Sequence, residues 1–249
     1  MTDILSPSSP EEIRRRLLSV VKSVKGQVQN AESLYVSVDV SKPRPRRGGP
    51  AVAEPPDLWR DLNRDVAGCE RCMLSKTRKN VVFGDGNRFA RLVFVGEAPG
   101  ADEDEQGLPF VGRAGQLLTN IIRAMGLERK DVYICNILKC RPPGNRNPLP
   151  EEIRLCEPYL KRQLSLISPE VICAMGSFAA KTLLKTETPI SALRGRFHIY
   201  EGIKLMPTYH PAYLLRNPPA KKQVWEDVQL IMKEIGLGAE SSQVKEVSP

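Results

Sequence analysis

Four cysteines carry the clearest chemistry in this chain. Cys69 and Cys72 form a C-x-x-C pair, and Cys140 and Cys156 follow at long range. A C-x-x-C pair brings two sulfurs within reach of one metal centre, and two further thiolates complete a four-sulfur set. Structural zinc and a four-iron cluster both accept such a set. Zinc sites built from two knuckles usually repeat C-x-x-C, whereas the second pair here is spread over Cys140 and Cys156, which tilts the assignment toward the cluster. On spacing alone, plain core thiols stay open as an alternative. Cys135 and Cys173 fit that alternative, since each falls inside an apolar β-type run.

Between the cysteine pairs lies Val95-Gly96-Glu97-Ala98-Pro99-Gly100, a glycine-rich turn with a carboxylate. It has neither the G-x-x-x-x-G-K of a P-loop nor the G-x-G-x-x-G of a dinucleotide site, which excludes both nucleotide readings. The run Asp102-Glu103-Asp104-Glu105 reads as a solvated acidic loop, with magnesium binding as a weak alternative. Pro109-Phe110-Val111-Gly112 places an aromatic on a loop that leads into a helix. A loop aromatic is more often a hydrophobic plug, but these neighbours favour stacking on a planar ring. The chain has two histidines. His198 falls in a predicted strand, so His210 is the functional candidate.

A frame must bring these residues together. Apolar β-type runs at 92–95, 132–135, 171–174 and 204–206 alternate with helical patterns at 57–66, 114–125, 151–167, 177–184 and 220–235. That alternation argues for a parallel sheet covered on both faces. In open sheets of this kind, ligands bind beyond the carboxyl ends of the strands. Those positions hold the Gly96–Gly100 turn, Asn136, Gly176-Ser177 and, a little later, His210. A carboxylate, an amide and an imidazole are therefore expected on one rim.

At 249 residues one principal domain is expected. Residues 57–237 are assigned to it. Residues 1–56 read as an extension with a short helix at Glu11–Val24 and a basic, Pro- and Gly-rich linker near 41–50, and residues 238–249 as a tail. Lys plus Arg exceed Asp plus Glu by 37 − 29 = 8, which makes a polyanion such as nucleic acid a better candidate partner than an acidic protein. No apolar run has membrane-helix length and no signal peptide is visible, so a soluble, intracellular protein is expected.

Taken in order, Val95-Gly-Glu-Ala-Pro-Gly-Ala-Asp-Glu-Asp, Pro109-Phe-Val-Gly-Arg-Ala-Gly, Asn136-Ile-Leu-Lys-Cys-Arg-Pro-Pro and His210-Pro-Ala-Tyr-Leu-Leu-Arg resemble the family 4 uracil-DNA glycosylases. The four cysteines also stand at that family's cluster spacing. The match runs from about Leu58 to Gly236. It implies an α/β/α sandwich with a central four-stranded, mainly parallel sheet. It also implies a structural [4Fe-4S] cluster on Cys69, Cys72, Cys140 and Cys156, and excision of uracil from single- or double-stranded DNA.

By the same resemblance, Glu97, Ala98, Pro99, Glu103, Phe110, Asn136 and His210 surround the uracil. Phe110 would stack on the ring, Asn136 would read its edge, and His210 would stabilise the departing anion. Ala98 stands where family 1 enzymes carry a water-positioning aspartate. Glu97 is therefore the first candidate to activate water and Glu103 the second, with exclusion of thymine as another role for Glu103. Ser177, Arg194 and Arg196 would meet phosphates, while Leu214, Leu215 and Arg216 would enter the gap left by the base. A monomer in a prokaryotic cytoplasm, associated with the nucleoid, is expected; no motif identifies a partner for the N-terminal extension.

Two rival readings belong to other classes. The first is a uracil-DNA binder that does not turn over; relatives that trap DNA use a histidine on an insertion after the third cluster ligand, and Arg141–Pro150 is short and has none. The second is an iron-sulfur scaffold. It would leave Glu97, Phe110, Asn136 and His210 without a task.

Overall fold

Segments that are apolar at every position belong in strands covered on both faces, and the central sheet is built from such segments. The computed structural model describes residues 57–237. Within them, β1 (Asp85–Gly86), β2 (Leu92–Gly96), β3 (Tyr133–Asn136), β4 (Val171–Met175), β5 (His198–Tyr200) and β6 (Ile203–Thr208) form one sheet in the order β1-β3-β2-β4-β6-β5. The inner four strands run parallel, and β1 and β5 pair antiparallel at the two edges.

Six strands replace the expected four, and the two extra ones have little sequence signal. β1 is two residues long. β5 centres on an exposed Ile199 and returns through the two-residue turn Glu201-Gly202, both at positive φ (48° and 81°). Positive φ at both positions is the type I′ hairpin, which usually announces itself as Asn-Gly.

Side chains along the strands alternate between two cores, as a period of two requires. Val93, Val95, Tyr133, Cys135, Ile172, Ala174 and Leu205 face one side. Leu92, Phe94, Ile134, Val171, Cys173, Met175 and Met206 face the other. Cys135 and Cys173 are thus buried core thiols, as expected. The helices are α1 (Leu58–Ala67), α2 (Ala101–Gln106), α3 (Arg113–Ala124), α4 (Pro150–Ile167), α5 (Ser177–Leu184), α6 (Ile190–Leu193), α7 (Pro211–Arg216) and α8 (Lys221–Glu234). Leu160 and Leu164 of α4 and Ala179 and Leu183 of α5 cover the first face; Leu118 and Ile122 of α3 and Val224, Val228 and Ile231 of α8 cover the second. The result is a three-layer α/β/α sandwich.

The acidic run at 102–105 is not a loop. It forms α2, whose first turn is favoured by acidic residues at a helix N-terminus. Asp104 is buried and accepts the Lys79 N–H at 2.9 Å and the Asn80 N–H at 3.3 Å. Among the described residues no helix is long and apolar enough to cross a membrane. The helix expected at Glu11–Val24, the linker near 41–50 and the tail at 238–249 lie outside the described residues.

Candidate active site

The parallel register brings strand ends together: Gly96 of β2 lies beside Asn136 of β3, and β4 ends against Thr208 of β6. A cleft of about 520 Å³ opens there, lined by Glu97, Ala98, Pro99, Gly100, Glu103, Phe110, Asn136 and His210, so all seven residues expected around the base meet at one site. Gly96 packs behind Asn136 and Phe110. A Cβ at that position would lie 2.4 Å from Asn136 Oδ1 and 2.6 Å from the Phe110 ring, so only glycine lets the amide and the ring approach so closely.

Asn136 is 2% exposed, and its Oδ1 has no hydrogen-bond partner among the described residues. Leaving a buried polar atom unpaired costs roughly 1–3 kcal/mol, which sets this carboxamide apart from the satisfied polar groups around it. The backbone carbonyl of Asn136 is held from below by the buried Lys139, whose Nζ donates to it at 2.7 Å. Phe110 has φ of 54°, rare for an aromatic residue, and its ring lies 5.6 Å from that of His210. Arg129 donates to the carbonyls of Pro109 and Phe110 at 2.8 and 3.1 Å.

His210 is the N-cap of α7. Its Nδ1 accepts the Ala212 N–H at 3.1 Å, so the neutral ring carries its proton on Nε2. Burial, with a smaller contribution from the Arg216 charge, lowers its pKa to about 4, so the ring is neutral at physiological pH.

The two acidic candidates differ sharply. Glu103 accepts from Gly100 N–H on Oε2 (3.1 Å) and from Val111 and Gly112 N–H on Oε1 (3.0 and 3.2 Å). It ties the turn after β2 to the Phe110 loop and caps α2, which uses both oxygens. Glu97 has no such ties, and burial raises its pKa above the usual carboxylate value. Of the two, Glu97 is the carboxylate free to handle a proton.

The four cysteines come together elsewhere. Cys69 and Cys72 follow the end of α1, Cys140 follows β3, and Cys156 projects from α4. All four line one small cavity with Val66, Leu74, Leu138 and Tyr159. Arg78 donates to the Cys69 carbonyl at 2.8 Å and approaches Cys140 Sγ at 3.2 Å, and the Lys139 N–H approaches Cys156 Sγ at 3.4 Å. Burial pushes the Cys156 thiol up to about 11, with Lys139 pulling the other way. Among the described residues no three His, Cys, Asp or Glu side chains close tightly enough to grip a single metal ion.

The family model of the uracil DNA glycosylase superfamily matches residues 83–229, which span β1 through most of α8. A type-4 uracil-DNA glycosylase of Archaeoglobus fulgidus is 47% identical over 179 residues, covering 69% of this chain and 90% of the relative. One from Thermotoga maritima is 45% identical over 177 residues, covering 70% and 92%. This chain is a member of that family. A type-5 uracil-DNA glycosylase of Pyrobaculum aerophilum is more distantly similar, at 30% identity over 154 residues, or 54% of this chain and 66% of the relative.

Not every residue expected at the DNA surface of a type-4 glycosylase is placed there. Leu214, on the inner side of α7, is 1% exposed and packs in the core instead of at the surface where a wedge is expected. A six-residue helix buries one side, and Leu214 falls on it. Arg194 pairs through Nε and Nη2 with the fully buried Asp227 (3.0 and 2.8 Å), which also accepts from Thr208 Oγ1 at 2.6 Å. Its charge braces the end of β6, two residues before His210. Ser177, Arg196, Leu215 and Arg216 are exposed, and Arg216 lines the cleft. Sequence reasoning missed Tyr213 and the 142–147 loop, which also line the cleft. Arg146 orders that loop by pairing with Glu152 (2.9 and 2.6 Å), a pairing legible only as an arginine six residues before a glutamate.

Proposed function

We propose that this chain excises uracil from DNA by hydrolysing the bond between the base and C1′ of the deoxyribose, leaving an abasic site. The observation that carries the reading is the buried, unpaired carboxamide oxygen of Asn136, a residue that lines one cleft with Phe110, His210 and Glu97. A base in a duplex must leave the stack to be reached, and a cleft with an aromatic wall and a polar edge reader suits a flipped pyrimidine. Phe110 stacks on the ring. The Asn136 carboxamide pairs with the edge, Oδ1 accepting from N3–H and Nδ2 donating to O4. Cytosine, with an acceptor at N3 and an amino group at C4, presents the inverse pattern.

As the C1′–N1 bond breaks, its electron pair moves onto the uracil and positive charge develops on the sugar. His210, neutral and protonated on Nε2, donates to O2 and stabilises the anion without first giving up a proton. Glu97 takes a proton from the water that adds to C1′. Exposed Leu215 and Arg216 flank the mouth and take up the gap in the stack; Arg196 and the N-terminus of α5 at Ser177 meet phosphates.

The chemistry of the cysteine cavity suits a [4Fe-4S] cluster: four thiols line one apolar space, with the Arg78 guanidinium 3.2 Å from Cys140 Sγ to balance thiolate charge. When bound, the cluster supplies a cross-link between the end of α1, the exit of β3 and α4. Residues 57–237 constitute the glycosylase domain, between an extension at 1–56 and a tail at 238–249, acting as a monomer on DNA in the cytoplasm.

The test is release of free uracil from a labelled uracil-containing oligonucleotide, with His210→Ala as control. Release that depends on His210 is expected. Tight uracil-dependent binding without release would replace the enzyme by a non-turnover binder.

A further inference from the structure

We infer that Arg129, outside the cleft, is the positioning residue that fixes the stacking platform of the base pocket by clamping the peptide of Phe110. The inference rests on the reading that Phe110 stacks on the base. An aromatic residue at φ of 54° costs roughly 1–3 kcal/mol, and it persists only where its surroundings over-determine it.

Two elements do so here. The planar guanidinium of Arg129 donates from Nη2 to the Pro109 carbonyl (2.8 Å) and from Nη1 to the Phe110 carbonyl (3.1 Å), a two-pronged grip on consecutive peptides that a lysine cannot reproduce. On the other side, α3 presses its backbone against the same carbonyl, where a Cβ on Gly115 would lie 1.9 Å from the Phe110 oxygen. The peptide is held between them.

The ring then has little freedom. It lies against Gly96 on one side and 5.6 Å from the His210 ring on another, so a rotation of the Phe110 peptide would move the platform out of register with both. Arg129 sits on the turn that leads into β3, the strand that ends at Asn136, and Asp85 of β1 lies 3.8 Å from its guanidinium. Stacking platform and edge reader are thereby set from one strand. Arg129 itself does not line the cleft, and its side chain is 24% exposed.

The experiment compares Arg129→Gln, Arg129→Lys and Phe110→Leu in the full chain. It measures single-turnover excision from a uracil-containing oligonucleotide, inhibition by free uracil, and thermal midpoint. Misplacing a reacting group by about 1 Å costs on the order of 100-fold, and that loss is expected for Arg129→Gln. Weaker inhibition by free uracil should accompany it, with a midpoint shift under about 4 °C and partial rescue by millimolar guanidinium ion. Arg129→Lys should fall between, since one ammonium cannot bridge both carbonyls.

Arg129→Gln within about twofold of wild type, alongside an impaired Phe110→Leu, would overturn the clamp while sparing the stacking reading. So would an impaired Arg129→Gln with unchanged inhibition by free uracil. Wild-type excision by Phe110→Leu would instead remove the stacking reading, and the clamp's role with it. Should Arg129→Gln fail to fold, Arg129→Lys is read in its place, and wild-type excision and inhibition there overturn the proposal.

Discussion

The cleft and the cysteine cavity are neighbours along the chain, joined by Asn136 to Cys140, yet they treat polar groups in opposite ways. Among the described residues of the cleft, Asn136 Oδ1, His210 Nε2 and the Glu97 carboxyl have no hydrogen-bond partner. In the cavity the polar groups are engaged: Arg78 on the Cys69 carbonyl, Lys139 on the Asn136 carbonyl and toward the thiols. Spare hydrogen-bonding capacity marks a site for a ligand that comes and goes. Satisfied capacity around four thiols marks a site filled once, as the chain folds.

Breaking the cleft should therefore cost rate before stability. The largest loss is expected from His210→Ala, which removes the donor aimed at the developing anion. A fall of about 10²–10³ in single-turnover rate is the usual size for one such donor. The thermal midpoint should fall by only about 2–4 °C, the shift that loss of the α7 N-cap bond gives. A rate within tenfold of wild type would show that the anion is stabilised elsewhere.

Asn136→Asp should follow, with uracil excision reduced on the order of 100-fold because a buried polar pairing is lost and a carboxylate takes its place. Assay of paired oligonucleotides carrying uracil or cytosine sharpens the comparison. A protonated aspartate can present a donor to cytosine N3, so discrimination should narrow even as the rate falls. Unchanged excision of uracil would remove the edge-reading role from Asn136.

Breaking the cavity should do the reverse. Cys140→Ala is expected to yield protein with little iron and a thermal midpoint lower by about 10 °C, the shift that ~3 kcal/mol gives in a domain of this size. Excision by the fraction that remains folded should suffer less than in His210→Ala. A full iron complement in that variant would show that the ligand set is wrong.

The contrast also explains what could be read from the sequence. The inner strands were legible because continuous apolar runs have few other places to go, and the cleft residues because each follows such a run at its carboxyl end. β1 was not, since two residues carry no period, and β5 was visible only as the strand expected at His198, its pairing hidden because Glu201-Gly202 is an unusual hairpin turn. Leu214 and Arg194 misled for a shared reason: a leucine or arginine in a loop motif gives its type but not its direction. Leu214 is buried against a core that also holds Val224 and Val228 of α8, and Arg194 pairs with Asp227 from 33 residues away, partners that the motif itself does not name. Arg129 was silent because its partners are backbone carbonyls, which every sequence has.

The smallest effects should separate the two glutamates. Burial raises the pKa of Glu97 and lowers that of His210 to about 4, so His210 stays neutral from pH 8 to 5 and only Glu97 changes charge as an acid limb sets in. The rate should fall as pH drops through the raised Glu97 value, and Glu97→Gln should lower the plateau and flatten that limb. The stability contribution of His210 has its own sign. Its folded pKa is depressed, so the unfolded chain takes up a proton near pH 6.5 that the folded chain refuses until about 4, and stability is lost as pH falls across that window. Glu103 is engaged differently, because three backbone N–H groups occupy both of its oxygens. Glu103→Gln keeps an oxygen for one side and turns an amide toward donors on the other, loosening the link between the turn after β2 and the Phe110 loop. A loss of less than about tenfold with an unaltered pH profile is expected, the size of one weakened positioning contact. An acid limb that vanished in Glu103→Gln and survived in Glu97→Gln would exchange the two roles.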